Sequence, residues 1–500
     1  LSDEKKTVYD VLDYTLKDNV ERYAYHPEYI PFNQFSGLPL EFPLLGSGEG
    51  SQPFKTEKDY EDWLKRAEKF PVWMDTAIEN FREGISKKYV LPKKLVQKMI
   101  PQMSAEEITT SDFEKNIFYG PIKHFPKKFT EVQKDKFTAD YKKLITTKII
   151  PAYQKMATFL EKEYLPNART MDGINGLPKG NEIYTYYVKS WTTTTKSPSE
   201  INEIGVQQVA MLRAEMEKVK QEVGFTGTLE EFLTHVKSDP KAMPYKTSKE
   251  IIDAFNGILV KITPKLKTMF NVVPKSGFEI RQTEKFREAS ASAEYMQGTP
   301  DGKRPGIFYI PIPDPKAFNV TSGMESLFLH EAIPGHHYQI SLQQENLSLP
   351  KFMRFGWFGA YGEGWAHYCE TLGPEFGLYT DPYQKMGYLS DQMLRAVRLV
   401  IDTGIHTGKM NREEAIKYFL DNVAYDQAGA TAEVERYMAY PGQALSYKIG
   451  SLKIRELRDK YQTELGAKFN LAKFHDEVLN QGCLPLDVLS RKMETWAKKQ

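Results

Sequence analysis

The 500-residue sequence predicts a mainly α-helical protein carrying one small antiparallel β-sheet. Three observations point there. Apolar residues recur at helical spacing through most of the chain, as Val8, Val11, Leu12 and Leu16 do between Asp3 and Asn19. Proline-containing connections separate these stretches. Strand-like texture is confined to Gly277–Pro313, so no strand–helix alternation builds a parallel α/β sheet.

Taken in order, the pattern after the first helix turns irregular from His26 to Pro53, a Pro-, Gly- and Phe-rich stretch that reads as an ordered loop packed by its aromatics. Helices are predicted at Thr56–Gly84, Pro92–Met103 and Phe129–Leu165, the last broken near Pro151. A long helix follows Ser197 and runs towards Val223, and Thr228 caps a short one with Glu230 and Glu231 at its positive end. Phe278–Arg281, Ala289–Ser292 and Gly306–Ile310 read as the strands, with Gly302 and Pro305 marking the last turn. An edge strand beside a cleft could pair with an extended peptide, although a plain packing sheet explains these residues equally well. Helices return at Phe358–Leu372, Tyr383–Thr403, Arg412–Tyr425, Thr431–Met438, Gln443–Leu465 and Pro485–Lys498. The expected division is a helical region, 1–276, forming one wall of a cleft, and a catalytic region, 277–500.

Composition narrows the function classes. Lys and Arg total 67 against 66 acidic residues, which leaves no basic stripe for nucleic acid and no polybasic membrane patch. Abundant aromatics (28 Phe, 29 Tyr, 6 Trp) support a large folded core. No apolar run is long enough to span a membrane. Cys369 and Cys483 form no framework or metal motif, and Cys369 reads best as a small buried side chain. The chain begins at Leu1 and shows no signal peptide, so a targeting segment is expected to precede it.

The chemistry concentrates between residues 330 and 370. His330 and Glu331 are adjacent in the apolar run Ser322–His337, with His336 and His337 shortly after, and Ser322 and Glu325 form an expected capping box for that helix. Histidines and carboxylates in an apolar run are costly without mutual partners. Zinc that activates water needs neutral imidazoles and a carboxylate, an open position, and a base beside it. His330 is the first candidate ligand and Glu331 the base. Glu363, His367 and Glu370 share one face of the next helix; Glu363 is the candidate third ligand, Glu370 would support the ligands from behind, and His367 either does the same or competes as a ligand. Gly356, Gly359, Gly362 and Gly364 would allow close approach to that helix or a break in it.

His330 to His337, then Glu363-Gly364-Trp365-Ala366, together resemble a bacterial family catalogued as domain of unknown function 885, placed among zincin-like metallopeptidases. The stretch Glu435–Gly450, Asn33–Gly37 and the Arg304-Pro305-Gly306 turn resemble it as well. The resemblance implies a helical zincin with His, His and Glu ligands to Zn2+ and a deep active-site cleft beside the small sheet. It also implies an exported protein, periplasmic or extracellular or lipid-anchored through a preceding segment, with the cytoplasm as the alternative. The usual His-Glu-x-x-His spacing is broken here by Pro334-Gly335. In a regular helix neither His336 nor His337 would fall beside His330; a bulge at Pro334-Gly335 would bring His336 there and turn His337 towards substrate or an oxyanion. Tyr447 is a further candidate donor to an oxyanion, and Arg436, Tyr437 and Tyr440 are candidate substrate contacts, with structural pairing as the competing account of each.

The expected function is zinc-dependent hydrolysis of oligopeptides by metal-activated water, with Glu331 as general base and no nucleic-acid partner. A zinc hydrolase of a non-peptide amide and a non-catalytic zinc or ligand-binding protein are the alternatives.

Overall fold

The structure, a computed structural model, describes residues 1–284, 288, 292–320 and 323–500. The described chain forms two compact units, one of Leu1–Val20, Tyr184–Tyr437 and Pro441–Gln500, the other of Glu21–Ile183 with Met438–Tyr440. Residue 276 therefore falls within the first unit.

The second unit is helical around an aromatic core. Thr56 and Thr130 each cap a helix reciprocally with the residue three positions on, which fixes the starts of Glu57–Ala67 and Glu131–Leu144. The stretch expected as a loop contributes a helix, Leu38–Gly46, whose Phe42 stacks on Phe70 with ring centroids 4.0 Å apart. Pro43 inside that helix cannot donate to the carbonyl of Pro39, and the Tyr153 hydroxyl does so instead at 2.7 Å. The break expected near Pro151 does not occur. A π-helical turn, Ile145–Ile149, carries the chain past it and leaves Pro151 in the first turn of Ile150–Phe159, where its missing N–H costs little.

The first unit holds all the chemistry described below. Its elements are α1 (Pro198–Glu222), α2 (Ser248–Met269), β1 (Phe278–Gln282), β2 (Glu294–Met296), β3 (Gly306–Ile310), α3 (Met324–Glu331), α4 (His336–Glu345), α5 (Gly359–Glu370), α6 (Pro382–His406), α7 (Gln427–Ala439) and α8 (Ser446–Leu465), α7 passing into the other unit at its end. Ser197 caps α1 with Glu200, and Gly205 lets α1 lie against Leu399 and Val400 of α6. Gly364 of α5 faces Gly450 of α8 so closely that a Cβ at either would strike the other helix's backbone. That is the close approach its glycines led us to expect. Sequence periodicity passed over the helices Gly180–Thr192, α2 and Leu471–Leu479, although Thr247 and Glu250 form a capping box at the start of α2.

The sheet corrects one expectation. It is mixed, in the order β1-β3-β2, with β1 parallel to β3 and only β2 antiparallel. Alternation of side chains reveals a strand and its faces but not its direction, which depends on how the connection runs. The expected strand at Ala289–Ser292 lies almost wholly outside the described residues; Glu294–Met296 supplies the third strand. Gly302, at φ 71°, does turn the chain between β2 and β3. β3 is buried along its length, with Phe308 edge-on to Phe255 of α2.

Candidate metal centre

α3 is driven inwards by Phe328 and Leu329, both fully buried. Its expected cap at Ser322 lies outside the described residues. The helix begins after Gly323 in a left-handed conformation, and Glu325 accepts instead from the Tyr379 amide at 2.6 Å. α3 must end near His330, because Pro334 has no N–H for the His330 carbonyl. It ends at Glu331, and residues 332–335 run outside any helix before α4 starts at His336. This is a full break, not the bulge expected. Gly335 passes so close to the carbonyls of Leu329 and His330 that a Cβ would collide with both. The Pro334 carbonyl accepts the Trp365 indole N–H at 2.8 Å and the Cys369 thiol at 3.5 Å, so α5 clamps the turn from outside.

The break brings His336 to His330. Their rings stand 4.9 Å apart and nearly perpendicular. Glu363 Oε2 lies 3.7 Å from His330 Nε2 and 3.4 Å from His336 Nε2. Two ligands each about 2.0 Å from a tetrahedral zinc sit about 3.3 Å apart, so these three atoms fit that ion. His330, Glu331 and His336 also offer atoms within 4.8 Å of one another, which makes Glu331 a rival third ligand. Glu363 is the better assignment because a single oxygen reaches both imidazoles.

Electrostatics favour a cation here. Burial would lower the His330 pKa, yet the hydrogen bonds it donates to Glu363 and Glu370 outweigh it and hold the ring at about 10. Burial likewise opposes ionisation of Glu363, but His336 and His330 keep it well below the ordinary carboxylate range. Glu331 differs. Burial pushes its carboxyl up, and the charges of His330, His336 and Arg395 only partly oppose this. Two imidazoles ringed by three carboxylates attract a proton when nothing else is present, and a divalent ion answers the same demand.

Behind the cluster runs a buried hydrogen-bond chain. His330 Nδ1 donates to Glu370 Oε1 at 2.7 Å, which leaves Nε2 as the nitrogen that could take a metal. Glu370 Oε2 accepts from Gln392 Nε2 at 3.0 Å and faces His367 Nδ1 at 3.2 Å; Gln392 Oε1 accepts from Lys448 Nζ at 2.9 Å. Burial lowers Lys448 to about 8 against the pull of Glu370, and lowers His367 to about 4. Glu370 therefore lies directly behind His330, and His367 lies behind Glu370. Gln392 and Trp365 were missed as functional residues, the first legible only as a polar residue on an apolar helix face. Glu370→Gln removes the charge that orients His330 and should weaken metal affinity by roughly 10–100-fold in a chelator-competition titration; unchanged affinity would make the contact incidental.

Other expected site residues lie elsewhere. His337 turns to the sheet, with Nδ1 accepting from the Tyr295 hydroxyl at 3.0 Å and its ring 4.9 Å from Phe278, and burial lowers it to about 4. The expected turn of His337 towards substrate is thus replaced by packing. Tyr437 is a core residue whose hydroxyl donates to Glu433 at 2.6 Å, and Tyr440 lies in the other unit, its ring 6.1 Å from Phe35. Arg436 donates to Gln443 at 2.9 Å and to the Tyr447 hydroxyl at 3.4 Å, while Arg398 lies 4.9 Å over the Tyr447 ring.

The profile of DUF885, described as a bacterial protein of unknown function, matches residues 1–493. A candidate lipoprotein from Colwellia psychrerythraea has a similar crystal structure (TM-score 0.88, 32% identity, covering 94% of this chain and 81% of that one). A candidate lipoprotein of unknown function from Shewanella oneidensis shares the fold (TM-score 0.73, 18% identity, covering 99% and 88%). No protein of curated function matches.

Proposed function

The chain belongs to the bacterial DUF885 family, and from that premise we propose that it is a zinc-dependent peptidase that hydrolyses oligopeptides. The observation that carries the reading is the spacing of His330 Nε2, His336 Nε2 and Glu363 Oε2 beside a further carboxylate, Glu331. His330, His336 and Glu363 would hold the metal in a zincin-like arrangement, with the histidines six residues apart rather than four. Bound zinc supplies Lewis acidity towards the substrate carbonyl and towards water. Glu331 takes the proton of the attacking water and passes it to the leaving amine, a task suited to a carboxyl whose burial raises its pKa. Glu370 fixes the His330 tautomer, and Trp365 holds the turn that aims His336.

Metal analysis combined with peptide-library cleavage read by mass spectrometry tests this. About one zinc per chain is expected; a chelator should abolish hydrolysis and added zinc should restore it. Full cleavage after complete removal of metal would overturn the mechanism. Among the described residues no helix is long and apolar enough to cross a membrane. The lipoprotein description of both similar structures supports an exported chain, periplasmic or lipid-anchored. Fractionation of the native host would place it.

A further inference from the structure

The connection from α4 to α5 carries three exposed aromatic side chains, Phe352, Phe355 and Trp357. Scattered apolar groups on a surface are ordinary, but Trp357 is held in a defined place. The chain is pinned on both sides of it. The Gly356 carbonyl accepts from Gln343 Nε2 of α4 at 2.8 Å, and the Phe358 N–H donates to Cys483 Sγ at 3.1 Å. The indole lies against the first turn of α5, where a Cβ on Gly362 would strike its six-membered ring. Glycine at 362 therefore lets a large ring rest one residue from Glu363.

The same ring touches the candidate ligands. Its centroid is 5.9 Å from that of His336, the two rings inclined at 50°. The ligand cluster has a closed side and an open one. Glu370, which holds His330 from behind, is 1% exposed, and Gln392 and Lys448 beyond it are buried as well. Trp357, against His336 on the other hand, is 44% exposed. The open side is the one from which a substrate arrives. Consecutive residues of a peptide are about 3.8 Å apart, so the residues flanking a carbonyl docked against His336 and Glu363 come within a side chain's length of the indole.

We infer that Trp357 determines specificity: its exposed indole is the apolar wall of a substrate subsite and selects peptides with an aromatic side chain directly beside the cleaved bond. This rests on the peptidase reading above. A ring laid on the indole buries apolar area on both partners and gains the further attraction of offset or edge-to-face aromatic pairs. The wall is already fixed by Gly362 and by the bonds to Gly356 and Phe358, so little ordering cost is left to binding. An aliphatic side chain gains the burial without the aromatic pairing, and Ala gains little of either. The expected order is therefore Phe or Tyr, then Leu, then Ala.

The test uses the zinc-loaded full chain and a library of short peptides cleaved in competition, with products identified by mass spectrometry. Wild type should cleave bonds flanked by Phe or Tyr with kcat/KM roughly 10–100-fold above the same sequence carrying Ala there. Trp357→Ala should bring the two close together while keeping zinc content. Trp357→Phe, with a smaller ring, should keep part of the preference and carries the test if the Ala variant does not fold. Tryptophan fluorescence gives a readout free of turnover. The component that Trp357→Phe removes should be quenched by acrylamide, and a Phe peptide with a reduced, uncleavable bond should shield it where its Ala counterpart does not. Absence of an aromatic preference, a preference that survives in both variants, equal loss of all cleavage in Trp357→Ala, or no shielding overturns the inference and leaves the peptidase reading intact. Cleavage of no peptide by wild type removes that reading, and this inference falls with it.

Discussion

Glu331→Gln should keep the fold and the zinc and lose hydrolysis by roughly 10²–10⁴-fold, the usual worth of general acid–base catalysis. Glutamine fills the same volume and leaves His330, His336 and Glu363 in place, so metal content separates base from ligand. Glu331 is suited to the role because it is the carboxylate at this centre that no imidazole claims. Glu363 meets both Nε2 atoms, and Glu370 is spent on His330 and Gln392. Glu363→Gln should accordingly do the reverse, weakening metal before it touches the chemistry. Loss of zinc in Glu331→Gln, measured by elemental analysis, would move Glu331 into the ligand set and leave the reaction without its base.

The fold was legible wherever local chemistry decides it. Thr228 announced its helix as a cap with acids behind it, and of the two readings its glycines allowed, α5 shows the close helix crossing. What escaped depended on partners distant in sequence. Phe42 makes a helix of a proline-rich stretch because Tyr153, more than a hundred residues on, satisfies the carbonyl that Pro43 cannot. Strand direction in the sheet followed from a connection, which no residue pattern encodes.

The candidate site divides along the same line. His330, His336, Glu363, Glu370 and His367 were readable because they crowd into two short stretches dense in histidine and glutamate. Gln392 comes from α6 and has no motif, so only the folded chain brings it near. Tyr437 and Tyr440 share a motif-like stretch, but one is turned into the core by Glu433 and the other falls in the second unit. Chemical type made both attractive candidates; orientation removed them.

His336→Ala should empty the site, while His337→Ala should retain zinc and lose stability in place of turnover. The helical break decides this pair. Once α3 stops at Glu331 and α4 begins at His336, the first two residues of α4 are about 100° apart around its axis and face different neighbours. His336 turns to Glu363 at 3.4 Å, and its ring is 5.9 Å from Trp357. His337 turns to Tyr295 and Phe278, and Gly306 of β3 leaves room for its ring: a Cβ there would crowd the Tyr295 hydroxyl and His337 Nδ1. Truncating such a buried ring opens a cavity and removes one partner of the Tyr295 hydroxyl, for a destabilisation of about 2–4 kcal/mol. Metal analysis and thermal melts on both variants check the pair. If His337→Ala loses the zinc and His336→Ala keeps it, α4 is turned about its axis from the arrangement described, and the ligand is the histidine seven residues beyond His330.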